Sequence, residues 1–196
     1  AHLAHRCLGN PADALTVIAV TGTNGKTTTC HLLESILRSA DRTVGVLGTI
    51  EYRIGDRRIE TGASHVTTPG ADELAELFAA MRDAGATDVV MEASSHALHQ
   101  GRVEGIDFDA AIVTNFSGDH LDYHRTIEDY LAAKAKLFEN LSPDAVAVLN
   151  RDSRECETLA ERTDAAVTWY GLSPAADVHC GISRLDADGC GIELRI

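Results

Sequence analysis

The sequence predicts an α/β fold, a mostly parallel sheet with helices on both faces, and three observations carry that prediction. Short apolar runs rich in Val, Ile and Ala alternate with longer stretches of helical period. The first clear run, TVIAV, passes straight into a glycine-bearing turn, TGTNGKTT, and then into a helical pattern. The polar residues best suited to chemistry come directly after apolar runs, where the carboxyl ends of parallel strands gather ligands. Together these describe a P-loop-type nucleotide-binding domain with peripheral hairpins.

Along the chain, the opening residues AHLAHRCLGN read as the tail of a helix, with a linker at Asn10-Pro11. Residues 1–15 are therefore expected to lead in from another domain, and 16–196 to form a central domain incomplete at its C-terminal end. Strands are expected at 16–20, 43–47, 88–92, 110–114, 145–150 and 166–170, and helices at 26–38, 69–84, 127–140 and 154–161. Thr68-Pro69 has the form of a helix start, with threonine as N-cap and proline in the first turn. Thr126 should cap the helix that carries Tyr130, Lys134 and Phe138. Two stretches break the alternation. IEYRIGDRRIET, residues 50–61, reads as an exposed hairpin turning at Gly55-Asp56, and DVHCGISRLDADGCGIELRI as a second one turning at Asp188-Gly189.

Composition narrows the function. The length of 196 residues and 44% hydrophobic content provide a sizeable core. No apolar run approaches the ~20 residues that cross a bilayer, and the start lacks the pattern of a signal peptide. Five cysteines are scattered without a C-x-x-C pair, which fits a reducing cytoplasm better than a disulfide or zinc framework. With 17 basic against 30 acidic residues the net charge is −13, a poor balance for nucleic-acid binding. Any phosphate must be held locally, by loop amides, a few basic side chains and a cation, so Mg²⁺ is required on charge grounds.

The turn TGTNGKTT has the marks of a phosphate site. Gly22 and Gly25 let backbone amides converge on an anion, and the following helix aims the positive end of its dipole there. Lys26 can reach outer phosphates, and the Thr27 hydroxyl can ligate Mg²⁺. The general loop G-x-x-x-x-G-K-[ST] is not fully matched, because Val20 stands where its first glycine would be.

Four further clusters carry chemistry. In HVTTP, Thr67 and Thr68 either cap a helix or hold an anionic or polar substrate at its N-terminus. In MEASSHALHQGRV, Glu92 ends an apolar strand, where a carboxylate needs a partner such as Mg²⁺. Ser94, Gln100 and Arg102 follow, a set suited to carboxylates or phosphates. In TNFSGDHLDYH, His120 and His124 have the i, i+4 spacing of a helical zinc pair, but the glutamate of H-E-x-x-H is missing and no third ligand is near. A histidine joining a magnesium site is the better reading. In YLAAKAKLF, Lys134 shares a helix stripe with Tyr130, Leu137 and Phe138, so it either faces inward or snorkels, while Lys136 faces solvent.

These five segments, in this order, resemble the Mur ligase family, ATP-dependent amide-forming enzymes of cell-wall synthesis, and within it the tripeptide synthetases. The resemblance runs from about Thr16 to Asp152. The loop alone is shared with folylpolyglutamate synthases; HVTTP and SSHAL-x-Q-x-R narrow the choice. The resemblance implies a three-domain monomer in the cytoplasm whose central domain binds ATP and Mg²⁺. Its reaction adds meso-diaminopimelate or L-lysine to UDP-N-acetylmuramoyl-dipeptide, without nucleic acid or membrane. It further implies that Gly22, Thr23, Asn24, Gly25, Lys26, Thr27 and Thr28 hold the ATP phosphates, with Asn115 on the nucleotide side. Thr27, Glu92, His120 and a carbamylated Lys134 would serve two magnesium ions, and Lys26, Glu92, His120 and Lys134 would be the catalytic set. Thr67, Thr68, Ser94, Gln100 and Arg102 would contact the dipeptide. A folylpolyglutamate-synthase-like ligase and a non-catalytic ATP-binding module remain as alternatives, separated by which acceptor binds and by Mg²⁺-dependent acyl phosphate formation.

Overall fold

The computed structural model describes residues 1–60, 65–117, 123–186 and 189–196, excepting the side chains at 185, 186, 189 and 190. In chain order the elements are α1 (His2–Cys7), a 3-10 turn (Pro11–Ala14), β1 (Thr16–Thr21), α2 (Lys26–Ser39), β2 (Val44–Leu47), β3 (Tyr52–Ile54), β4 (Arg57–Arg58), α3 (Ala71–Asp83) and β5 (Asp88–Glu92). They continue with α4 (Ser95–His99), β6 (Ala110–Val113), α5 (Ile127–Glu139), β7 (Val146–Asn150), α6 (Glu155–Ala160), β8 (Ala166–Gly171), β9 (Val178–Asp186) and β10 (Gly189–Arg195).

One sheet runs in the order β10-β9-β8-β7-β6-β1-β5-β2-β3-β4, with every pair from β9 to β2 parallel and the two ends closed by antiparallel pairs. Strand β1 is central because it is apolar on both faces. Val17 and Ala19 point into the larger core with Phe78 and Met81 of α3 and Phe138 of α5. Ile18 and Val20 point the other way, where Val44, Val46, Val90 and Cys30 of α2 meet them. Two-residue alternation along one strand thus serves helices on both faces, as the sequence predicts.

Register then sets the site. Val20 pairs with Glu92 in the parallel β1–β5 ladder, and Leu47 pairs with Met91 across β2–β5. Three strands therefore end level with one another, and the turns that follow them crowd a single edge.

Several expectations shift. The helix expected from Pro69 starts at Ala71 with Gly70 as N-cap, so Thr68 is not a cap. Its hydroxyl instead donates to the Glu92 carbonyl at 2.7 Å, a stronger claim on a buried group than a helix end. Thr126 does cap α5, accepting from the Asp129 amide at 3.0 Å. The hairpin at 50–61 turns at Gly55-Asp56, but it is not wholly exposed: β3 pairs with β2 and buries Tyr52 and Ile54. Arg53 ties it to the Glu34 carboxylate of α2. The C-terminal hairpin forms, while its tip at Asp188 lies outside the described residues. Within the first fifteen residues His5, Pro11, Ala12 and Leu15 are buried, and most of the others are exposed.

Candidate functional site

The loop after β1 is shaped by contacts with the end of β6. Gly22 has φ +135°, and a Cβ there would lie 1.9 Å from Thr114 Oγ1, so only glycine fits. Asn115 clamps the next turn: its Oδ1 accepts from the Asn24 amide and its Nδ2 donates to the Asn24 carbonyl, both at 3.0 Å. Thr114 Oγ1 adds a 2.6 Å bond to the same carbonyl. Gly25, at φ +84°, precedes the first turn of α2. Lys26 folds back over the loop, its Nζ donating to the carbonyls of Gly22 and Thr23 at 2.9 Å each. An anion replacing those carbonyls would meet the ammonium and the amides of a 14-residue helix together.

Glu92 is 1% exposed and lies in a ring of donors. Its Oε1 accepts from Thr27 Oγ1 at 2.9 Å and from the Thr49 amide at 2.8 Å, and its Oε2 from Thr49 Oγ1 at 3.1 Å. A carboxylate and two hydroxyls form a hard oxygen donor set of the kind Mg²⁺ takes. The thiol of Cys30 is pushed far above its ordinary range by burial, and further by the charge of Glu92.

On the facing wall, Thr67 Oγ1 is 3.1 Å from Thr49 Oγ1. The His65 ring lies against Tyr52 at 4.4 Å between centroids, and His65 Nε2 is 2.8 Å from the Thr49 carbonyl. Thr68 and Ser94 support one another at 3.2 Å between hydroxyls, and Ser94 caps α4. Arg102 donates Nη1 to the Thr68 carbonyl at 2.8 Å, and Nε and Nη2 to Gln100 Oε1 at 2.9 and 2.6 Å.

The loop and this wall enclose one cleft of about 580 Å³. Of the expected residues, Thr23, Asn24, Gly25, Lys26, Thr27, Thr67, Thr68, Glu92, Ser94 and Arg102 line it. Gln100 stands behind the wall, bonded to Arg102 and to Tyr123 Oη at 3.0 Å, and Asn115 braces the loop from outside. Thr28 is exposed on the first turn of α2. His120 lies outside the described residues. Lys134 is 1% exposed and sits beneath the loop, with Nζ 3.1 Å from the Gly22 carbonyl, 3.2 Å from Thr21 Oγ1 and 4.6 Å from the centre of the Tyr130 ring. Its neighbour Lys136 is exposed, so the inward reading of the helix stripe holds.

The cleft also takes in Thr49, His65, Val66 and His96, which sequence reasoning passed over. Thr49 was findable, because GT follows the apolar run VGVL as E follows DVVM. The short helix α4 was not, since five residues are too few for a helical period to show.

Compared with known proteins, the chain matches the model of the Mur ligase middle domain over residues 20–195. The chain belongs to the Mur ligase family. It is 46% identical over 187 residues to a UDP-N-acetylmuramoyl-L-alanyl-D-glutamate–2,6-diaminopimelate ligase of Geobacter metallireducens, covering 92% of this chain and 36% of that protein. A ligase of the same name from Listeria monocytogenes is 42% identical over 201 residues, covering 100% of this chain and 40% of the relative. The chain therefore spans well under half the length of these relatives. A solved structure of a 2,6-diaminopimelate ligase superposes with a TM-score of 0.80 at 34% identity, over 92% of this chain and 37% of that one. The folylpolyglutamate synthase of Mycobacterium tuberculosis, at 21% identity and a TM-score of 0.73 over 97% of this Mur-family chain and 50% of its own, shares the fold.

Proposed function

We propose that this chain is the nucleotide-binding part of an ATP-dependent ligase that adds 2,6-diaminopimelate to UDP-N-acetylmuramoyl-L-alanyl-D-glutamate through an acyl phosphate. The observation that carries the proposal is the single cleft in which the phosphate loop faces Thr67, Ser94 and Arg102. A loop that only bound nucleotide would need no such second wall. The names of the relatives at 46% and 42% identity supply the substrates. We place the reaction in the cytoplasm, where ATP is available, and assign it to a monomer; no helix among the described residues is long and apolar enough to cross a membrane.

In this reading the loop amides and the N-terminus of α2 take the phosphate oxygens, and Lys26 moves from the Gly22 and Thr23 carbonyls to the γ-phosphate. Arg102, held by Gln100 and the Thr68 carbonyl, offers charge to an anionic part of the dipeptide. Thr67 and Ser94 orient it so that its free D-glutamate carboxylate points at the γ-phosphorus. That carboxylate attacks in line, a phosphorus–oxygen bond forms, and ADP leaves with the electrons of the broken one. The amine of the incoming amino acid then attacks the acyl carbon, loses a proton and expels phosphate. Mg²⁺ fits the donor set of Thr27 and Glu92, with His120 and a carbamylated Lys134 proposed as further ligands, and would supply positive charge between two anionic reactants. Complete burial of Lys134 beneath the loop supports that assignment.

The test uses a protein that carries this chain with the remaining length of its relatives. Given Mg-ATP, the UDP-linked dipeptide and diaminopimelate, it should release ADP one for one with tripeptide. Withholding the amino acid and adding hydroxylamine should trap the acyl phosphate as a hydroxamate. ADP release that ignores the dipeptide would overturn the proposal.

A further inference from the structure

The geometry points to Thr49 as a positioning residue that aims the Glu92 carboxylate at the cation of a bound Mg-ATP and joins that carboxylate to the acceptor wall. The inference rests on the reading of the cleft as a Mg-ATP site.

Glu92 ends β5 between two parallel neighbours. On one side its partner in the ladder is Val20, and on the other the β2 register brings Gly48 level with it. A Cβ at Gly48 would lie 2.5 Å from Glu92 Oε1, so the carboxylate occupies space that any larger residue would claim. With glycine there, the chain passes close enough for Thr49 to bind both carboxylate oxygens, through its amide at 2.8 Å and its hydroxyl at 3.1 Å. A buried carboxylate with two donors from one residue is restrained from rotating, and donors of this kind hold a ligand's orientation.

A carboxylate only accepts, so the one proton of the Thr49 hydroxyl goes to Glu92. Thr67 Oγ1, 3.1 Å away, must then donate to Thr49. The outcome is a directed row, Thr67 to Thr49 to Glu92, with Thr27 Oγ1 donating to the same carboxylate from the phosphate loop at 2.9 Å. It leaves the lone pairs of Thr67 to face the cleft, ready to accept from an amide of the acceptor. Thr49 stands at the junction of the two walls.

The experiment measures ATP affinity of the 196-residue chain with and without Mg²⁺, for wild type, Thr49→Val, Thr49→Ser and Gly48→Ala. Valine keeps the shape and the backbone amide but removes the hydroxyl; serine keeps the hydroxyl. Groups that orient a metal ligand typically change metal affinity by about 10–100-fold. Thr49→Val should therefore keep the Mg²⁺-free ATP affinity of wild type and lose at least about tenfold of the gain that Mg²⁺ confers, with Thr49→Ser restoring it. Gly48→Ala, which leaves the hydroxyl in place but displaces the carboxylate, should show the same selective loss, and decides the matter if the valine variant does not fold. An undiminished Mg²⁺ gain in both Thr49→Val and Gly48→Ala would overturn the inference, as would equal loss in valine and serine variants. If wild type itself gains nothing from Mg²⁺, the reading of the cleft fails first and the role of Thr49 with it.

Discussion

The hydroxyl of Tyr130 lies 2.9 Å from that of Thr23, so helix α5 holds the phosphate loop across 107 residues of sequence. Ser117 completes the hold, its amide and carbonyl each 3.0 Å from the same Thr23 oxygen. Tyr130→Phe keeps the buried ring and removes this bond, a change of about 1 kcal/mol. For a chain of this size the melting temperature should fall by about 2–4 °C, and ATP affinity should fall with it. Unchanged affinity in a calorimetric titration would show that Ser117 suffices to hold the loop.

Glu92→Gln should separate charge from shape. The glutamine oxygen can still accept from Thr27 and the Thr49 amide, and its nitrogen can donate to a Thr49 hydroxyl that rotates to accept. Stability should therefore change by less than about 1 kcal/mol, whereas turnover of the full-length protein should fall more than about tenfold, or roughly 1.4 kcal/mol of barrier. A smaller loss of turnover would remove Glu92 from the cation site.

Lys134 and Lys136 make a matched pair, two residues apart, one buried and one exposed. If Lys134 acts as a carbamate, Lys134→Ala in the full-length protein should be nearly inactive and recover in part when acetate or propionate is added. Lys136→Ala, which loses a 3.3 Å contact to the His99 carbonyl, should turn over almost as wild type. Equal damage from both would contradict the carbamate assignment.

Thiol labelling tests the core. Burial raises the Cys30 thiol well above its ordinary value and pushes Cys156 up to about 12, so both stay neutral at pH 8. Exposed Cys7 should react with iodoacetamide first, and Cys30 and Cys156 only on unfolding. Rapid labelling of Cys30 in the native protein, read by peptide mass spectrometry, would show that the face between α2 and the sheet is open.

Much of this was legible in the sequence because strand ends are where both fold and chemistry announce themselves. TVIAV, DVVME and AAIV became neighbouring parallel strands, and the polar residues after them met at one edge. The helical stripe left Lys134 either inward or snorkelling, and its burial decides for the first. What stayed hidden depended on partners distant in sequence. Thr68 looked like a helix cap, yet the carbonyl of Glu92 and the hydroxyl of Ser94 draw it into the fold. The hairpin at 50–61 looked exposed because its alternation was read without the Glu34 carboxylate that takes Arg53. Thr49 carried the same strand-end signal as Glu92, but a threonine shows no charge to mark it.

The central claim, that the loop at Gly22–Thr27 seats the phosphates of Mg-ATP in a cleft shared with a second substrate, is tested most directly by thermal denaturation of this chain in rising Mg-ATP. A ligand at ~100 times its dissociation constant stabilises a fold by ~2.7 kcal/mol. Wild type should therefore show a saturable rise in melting temperature, and Lys26→Ala, which removes the ammonium that now bonds the Gly22 and Thr23 carbonyls, should show almost none. An equal rise in both proteins would contradict the account.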